Sequence, residues 1–134
     1  MRSQTLIAVA DVAKASRWYQ TLLECDRIHD GTAYSRLAMP GESDFFLQLH
    51  VWNAHDHPNL GDPMAAAHGY GVLLWFLVDD FAAAVTRAQQ MKAEIVTPPH
   101  VNPLAHHQEC WLRDLDGYIV VIASRPEAVV SSIP

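Results

Sequence analysis

The sequence predicts an α+β domain of two βαβββ modules that together form a curved half-barrel cleft. Three observations predict it. The segment Leu6–Val12 and its following helical stretch recur as Trp75–Phe81 and its helical stretch, at a shift of 69 residues that carries Val9 onto Val78, Asp11 onto Asp80, Ala15 onto Ala84 and Leu22 onto Met91. Each copy opens with a run of β-branched, aromatic and other apolar residues that reads as a buried strand, and then meets an aspartate placed to cap a helix N-terminus. Three further strand candidates follow each helix, so the order is strand, helix, three strands, twice over.

The elements can be justified in order. The first helix runs to Leu23, and Val12, Ala15, Tyr19 and Leu22 make an apolar stripe at helical spacing, with Trp18 off its centre and expected at an edge or an interface. Arg27–Asp30, Tyr34–Ala38 and Phe45–Trp52 follow as strands, separated by Gly31 and by Pro40-Gly41. The second helix runs to Met91 with the stripe Phe81, Ala84, Val85, Ala88 and Met91. Its strands are Glu94–Thr97, Glu109–Arg113 and Tyr118–Ser124, with Pro98-Pro99 and Asp116-Gly117 as the expected breaks. A single domain over residues 1–134 therefore divides into a first module at about 4–52, a joint at 53–70, a second module at about 71–125 and a tail at 126–134. A βαβββ sheet leaves one face uncovered. Two such faces side by side would enclose a pocket suited to a small organic molecule.

Composition narrows the function. The chain carries nine Lys and Arg against fifteen Asp and Glu, a formal charge of -6, with no basic run. Nucleic-acid binding and attachment to an anionic membrane both need clustered positive charge, so neither is expected. The longest apolar run, Gly71 to Val78, is far short of a membrane span, and Met1-Arg2-Ser3-Gln4 leads straight into strand-like sequence without the apolar stretch of a signal peptide. The expected location is cytoplasmic. Cys25 and Cys110 then read as two reduced, buried thiols rather than a disulfide.

Several of these segments resemble the glyoxalase/bleomycin-resistance/dioxygenase (vicinal oxygen chelate) superfamily. Val9-Ala10-Asp11 through Trp18-Tyr19 and Leu22-Leu23 is similar to its opening strand and helix. Trp111-Leu112-Arg113-Asp114-Leu115-Asp116-Gly117-Tyr118-Ile119-Val120-Val121 is similar to its ending, with Leu115 where a proline is usual. The resemblance spans essentially the whole chain. It implies the paired βαβββ fold and a homodimer, whereas activity stays open, because the superfamily includes lyases, epimerases, dioxygenases, drug-modifying enzymes and drug-sequestering binders.

Metal-dependent members place one ligand on the first and one on the last strand of each half. The resemblance puts those positions at Gln4, Gln48, Leu73 and Val121. Leu and Val have no donor atom and Gln offers one neutral carbonyl oxygen, so this set is not one that holds zinc, iron or nickel. The expectation is a small-molecule-binding protein without the usual divalent metal and without another cofactor. The alternative is a metal-dependent lyase, isomerase or dioxygenase holding one divalent metal through His50, two residues beyond Gln48 on the same strand face, with His55 and His57. The histidines are concentrated around two stretches, His50, His55, His57 and His68 around the joint and His100, His106 and His107 in the next long loop, where they could rim the cleft. Candidate pocket residues are Gln4, Gln48, His50, Trp75, Glu109 and Trp111, the last two sharing one strand face. Glu109 and His107 are the candidate proton-transfer groups if the protein is an enzyme. No nucleophile motif or phosphate-binding glycine loop is present in the sequence.

Overall fold

A computed structural model of the chain describes residues 3–29, 31–52, 58–64, 68–104 and 106–126. The chain forms two compact units, Met1–His68 and Gly69–Pro134.

The first unit contains β1 (Thr5–Val9), α1 (Val12–Leu23), β2 (Asp26–Arg27), β3 (Tyr34–Ala38) and β4 (Phe45–Val51), followed by a 3₁₀ turn at Pro58–Leu60. Its four strands are ordered β1-β4-β3-β2, with β1 parallel to β4 and the other pairs antiparallel. The second unit contains β5 (Leu73–Leu77), α2 (Phe81–Gln90), β6 (Glu94–Asn102), β7 (His107–Arg113) and β8 (Ile119–Ala123). Its order, β5-β8-β7-β6 with β5 parallel to β8, repeats that of the first. This is the doubled βαβββ arrangement expected from the repeat.

Both helices start where the sequence places their caps. Asp11 and Asp80 have extended backbones, and their carboxylates accept from the N–H of Lys14 at 2.9 Å and of Ala83 at 3.0 Å. Each bond satisfies one of the amides that a helix start leaves without an intrahelical partner. The expected stripe of α1 is wholly buried, and it covers the sheet face built from Ile7, Val9, Leu37, Leu47 and Leu49. In α2, Phe81, Ala84 and Ala88 are buried, while Val85 and Met91 are half-exposed; Leu74, Cys110, Leu112, Val120 and Ile122 form the matching core. Full burial of each large aliphatic side chain contributes about 1.5–3 kcal/mol.

Two sequence expectations are corrected. Trp18 is not at an exposed edge. It is 8% exposed and stands edge-on to Tyr19 with ring centroids 4.9 Å apart, so it belongs to the core of its own unit. Pro98-Pro99 does not end a strand either. β6 runs through it to Asn102, with its register shifting between Ile95 and Thr97 and again between Thr97 and His100. The strand lies at the edge of its sheet, where a missing N–H costs no ladder bond, and irregular pairing accommodates the prolines.

The turn before β8 accounts for the Asp114–Tyr118 motif. The Asp114 carboxylate accepts from the backbone N–H of Asp116 at 2.9 Å and of Tyr118 at 2.8 Å. Gly117 takes a φ of +93°, which a side chain would resist. Leu115 is 62% exposed, so the turn does not depend on a proline there. Cys25 and Cys110 are both buried free thiols, and burial pushes that of Cys25 up to about 11. Among the described residues no helix is long and apolar enough to cross a membrane.

Candidate functional site

Each sheet covers its helix with one face and turns the other away. In the first unit that second face carries Leu6 and Ala8 on β1, Gln48 and His50 on β4, and Tyr34 and Arg36 on β3, joined in register as Leu6–Gln48–Arg36 and Ala8–His50–Tyr34. In the second unit it carries Trp75 and Leu77 on β5, Val121 and Ala123 on β8, and Glu109 and Trp111 on β7, joined as Trp75–Val121–Trp111 and Leu77–Ala123–Glu109. The repeat takes Leu6 to Trp75, and their ladder partners are Gln48 and Val121. These two positions are therefore equivalent, and the counterpart of His50 is Ala123.

The first-unit face holds a hydrogen-bond chain with no carboxylate in it. The Arg36 Nε–H donates to Tyr34 Oη at 3.1 Å, Tyr34 donates to Gln48 Oε1 at 2.6 Å, and Gln48 Nε2 donates to the Gln4 carbonyl at 2.8 Å. The Arg36 guanidinium lies over the rings of Tyr34 and Phe45, at 5.5 and 4.9 Å from their centroids. Both ends of the Gln48 amide are thus engaged by protein groups. His50 is buried, its Nδ1 2.6 Å from the Val51 carbonyl oxygen and its ring 6.2 Å from that of Tyr34. Gln4 itself is exposed.

The second-unit face is built around a carboxylate. The Glu109 side chain is 3% exposed and accepts on both oxygens: from Trp111 Nε1 at 3.0 Å on Oε1, and from Asn102 Nδ2 at 2.8 Å and His107 Nε2 at 2.5 Å on Oε2. His100 stands farther off, its Nε2 3.7 Å from Oε1. Burial alone would raise the carboxyl pKa. The bonds from Asn102, Trp111 and His107, with the charge His107 can carry, outweigh that and hold it below its usual value. Beside the cluster, Trp75 meets the His107 ring edge-on at 5.7 Å.

The structure thus gathers Glu109, Trp111, His107 and Trp75 on one strand face, and Gln48 with the Gln4 backbone and His50 on another. Asn102 joins the Glu109 cluster, and Tyr34 and Arg36 join Gln48. Asn102 and His100 belong to β6, and His107 opens β7, so these two histidines are strand residues rather than members of a loop. Their spacing carried the signal: His100 and Asn102, and likewise His107, Glu109 and Trp111, alternate with a period of two. Tyr34 and Arg36 alternate in the same way. His106 sits in the connecting turn with a φ of +55°. His55 and His57 lie outside the described residues.

The positions that the family resemblance assigns to a metal do not fit one. Leu73 and Val121 offer no lone pair, Val121 is fully buried, and the Gln48 carbonyl already accepts from Tyr34. Among the described residues no group of three or more His, Cys, Asp or Glu side chains is arranged to take a metal ion.

Comparison with known proteins agrees with this architecture. No curated protein matches the sequence. Among solved structures, a glyoxalase/bleomycin resistance protein/dioxygenase family enzyme from Burkholderia phytofirmans PsJN is similar over 91% of this chain and 96% of its own, with 19% identity and a TM-score of 0.74. A glyoxalase-related enzyme from Fulvimarina pelagi is similar over 94% and 88%, with 16% identity and a TM-score of 0.73. A lactoylglutathione lyase from Agrobacterium tumefaciens is similar over 92% of each chain, with 16% identity and a TM-score of 0.69. At these identities the likeness is one of fold. The sequence profile of the Glyoxalase/Bleomycin resistance protein/Dioxygenase superfamily matches residues 3–122, nearly the whole chain, and the chain belongs to that superfamily.

Proposed function

We propose that this protein binds a small planar organic molecule without the divalent metal that part of its superfamily uses. One observation carries the reading: the exposed face of the second sheet sets half-exposed Leu73, Trp75 and Leu77 beside a buried, fully hydrogen-bonded Glu109 cluster. Apolar and aromatic walls with a few fixed polar groups are the usual make-up of a small-molecule site. The chemistry of Leu73 and Val121 supports the metal-free half of the reading.

The test is elemental analysis of untagged protein with melting curves in zinc, nickel, iron and chelator. The expected result is no stoichiometric metal, no rise in melting temperature with any of the three ions, and a folded protein in chelator, since a ligand stabilises only the state that binds it. One tightly held metal per chain, lost in His50→Ala, would overturn the reading in favour of a metal-dependent lyase, isomerase or dioxygenase.

We further place the protein in the cytoplasm, in keeping with its two free thiols, and as a homodimer. Exposed Tyr70, Val101 and Leu104 support the dimer, as apolar surface for a partner copy to cover. Sedimentation at twice 14.9 kDa is expected, and a monomer at micromolar concentration would remove the dimer.

A further inference from the structure

Glu109 is buried and already accepts from three side chains, which leaves a ligand little access to it. Trp111 Nε1–H and the Asn102 amide N–H can only donate, and each is spent on this carboxylate, one per oxygen. The cluster holds Glu109 as a charged acceptor at a fixed place, and His107 Nε2 lies 2.5 Å from Oε2. An acceptor that strong, at that distance, requires the hydrogen on Nε2. In a neutral imidazole the other nitrogen, Nδ1, is then a lone-pair acceptor.

Nδ1 has no hydrogen-bond partner among the described residues, and none of their buried side-chain nitrogens or oxygens lacks one, so Nδ1 is not sealed from solvent. The side chain as a whole is 13% exposed. Around it stand the Trp75 ring, edge-on at 5.7 Å, and along the same strand face Leu73 and Leu77, 44% and 49% exposed. A fixed acceptor beside an accessible aromatic and aliphatic wall is complementary to a flat apolar molecule with a hydrogen-bond donor on its edge.

We infer that His107 Nδ1 is the polar anchor of a ligand site that takes planar aromatic molecules bearing an edge N–H or O–H, and that Glu109 is the positioning residue that fixes the His107 tautomer. The inference rests on the small-molecule-binding role and specifies its ligand chemistry. Asn102 and Trp111 complete the device by locking Glu109 from either side. His100, 3.7 Å from Oε1 and 39% exposed, is peripheral to it.

The probes are indole and 1-methylindole, which share ring and wall contacts and differ in the N–H. Affinities are read by NMR titration of labelled protein at about pH 8.5, where an ordinary imidazole is neutral. Indole is expected to bind the wild type about three- to tenfold more tightly, the ratio that one hydrogen bond supplies. His107→Phe, which keeps an aromatic ring, should bring the ratio near one. Glu109→Gln should lower it while long-range nitrogen–proton spectra show His107 passing from a single tautomer, with hydrogen on Nε2, to a mixture. Equal affinities in the wild type, or a wild-type His107 with its hydrogen on Nδ1, would overturn the anchor and leave the binding role standing. If neither indole binds at millimolar concentration, the anchor and the proposed planar-ligand role fall together.

Discussion

Tyr34 and Arg36 on β3 of the first unit hold the same ladder places as Glu109 and Trp111 on β7 of the second, for Tyr34 pairs with His50 as Glu109 pairs with Ala123, and Arg36 pairs with Gln48 as Trp111 pairs with Val121. The backbone is repeated; the chemistry is not. The first unit puts its polar groups on two neighbouring strands and joins them in a chain that runs from the Arg36 guanidinium to the Gln4 backbone. The second puts aliphatics on β8, an aromatic on β5, and one carboxylate on β7 that three side chains grip. A metal shared symmetrically by two halves needs donors at matching places. Here the matching places pair an amide with a valine and a histidine with an alanine.

Removing the two matching groups in turn tests how far the two halves differ. Glu109→Ala strands three donors around a buried position and should cost about 2–4 kcal/mol of stability. Tyr34→Phe removes one hydroxyl from a half-exposed chain whose neighbours water can reach, and should cost about 0.5–1.5 kcal/mol. Urea unfolding of both variants gives the difference. Equal costs would mean that the two networks do the same structural work and that the Glu109 cluster has no special rigidity.

Acid sharpens the same contrast. Because the folded-state pKa of Glu109 lies below the ordinary 4.5, the folded protein holds this proton less tightly than the unfolded chain does. Its contribution is fully present above the unfolded value and is lost as pH falls through the folded one. Wild type should therefore lose more stability than Glu109→Gln as pH drops from neutral to below 4.5. Tyr34→Phe should keep the wild-type slope. Parallel slopes for wild type and Glu109→Gln would show that the carboxylate gains nothing from its donors.

How much of this was legible follows from which interactions are local. The repeat, the helix caps and both apolar stripes depend on residues within a few positions of each other, so the order of elements, the Tyr34–Ala38 strand and the starts at Asp11 and Asp80 could be read directly. Glu109 and Trp111 were placed on one face by simple alternation. Asn102 and His100 were not, because Pro98-Pro99 reads as a break unless β6 is known to be an edge strand, and that is a property of the whole sheet. Trp18 follows the same rule: a helical stripe has a centre and flanks, and whether a flank is covered depends on the next strand over. Ladder register between parallel strands far apart in sequence was open as well, and only the pairing of Leu6 with Gln48 and of Trp75 with Val121 aligned the two halves.

The smallest expected effect tests the repeated part rather than the divergent part. Asp11 and Asp80 each accept one backbone N–H three residues on, at 2.9 and 3.0 Å, and both are exposed. Neither helix has an acidic residue within its first turn, so each capping aspartate is the nearest negative charge to face the helix dipole, with Asp79 one residue farther out at α2. Asp11→Ala and Asp80→Ala should each cost about 1 kcal/mol, lowering the melting temperature by about 3–5 °C in a domain of this size. The Asn variants should recover most of the loss, because the amide oxygen can accept the same bond. The two alanine costs should agree within about 0.5 kcal/mol, in contrast to the unequal costs expected at Glu109 and Tyr34. A large difference between the caps would mean that the halves diverge in their scaffold as well as in their chemistry, and the ladder equivalence of Gln48 with Val121 would then no longer justify comparing their sites.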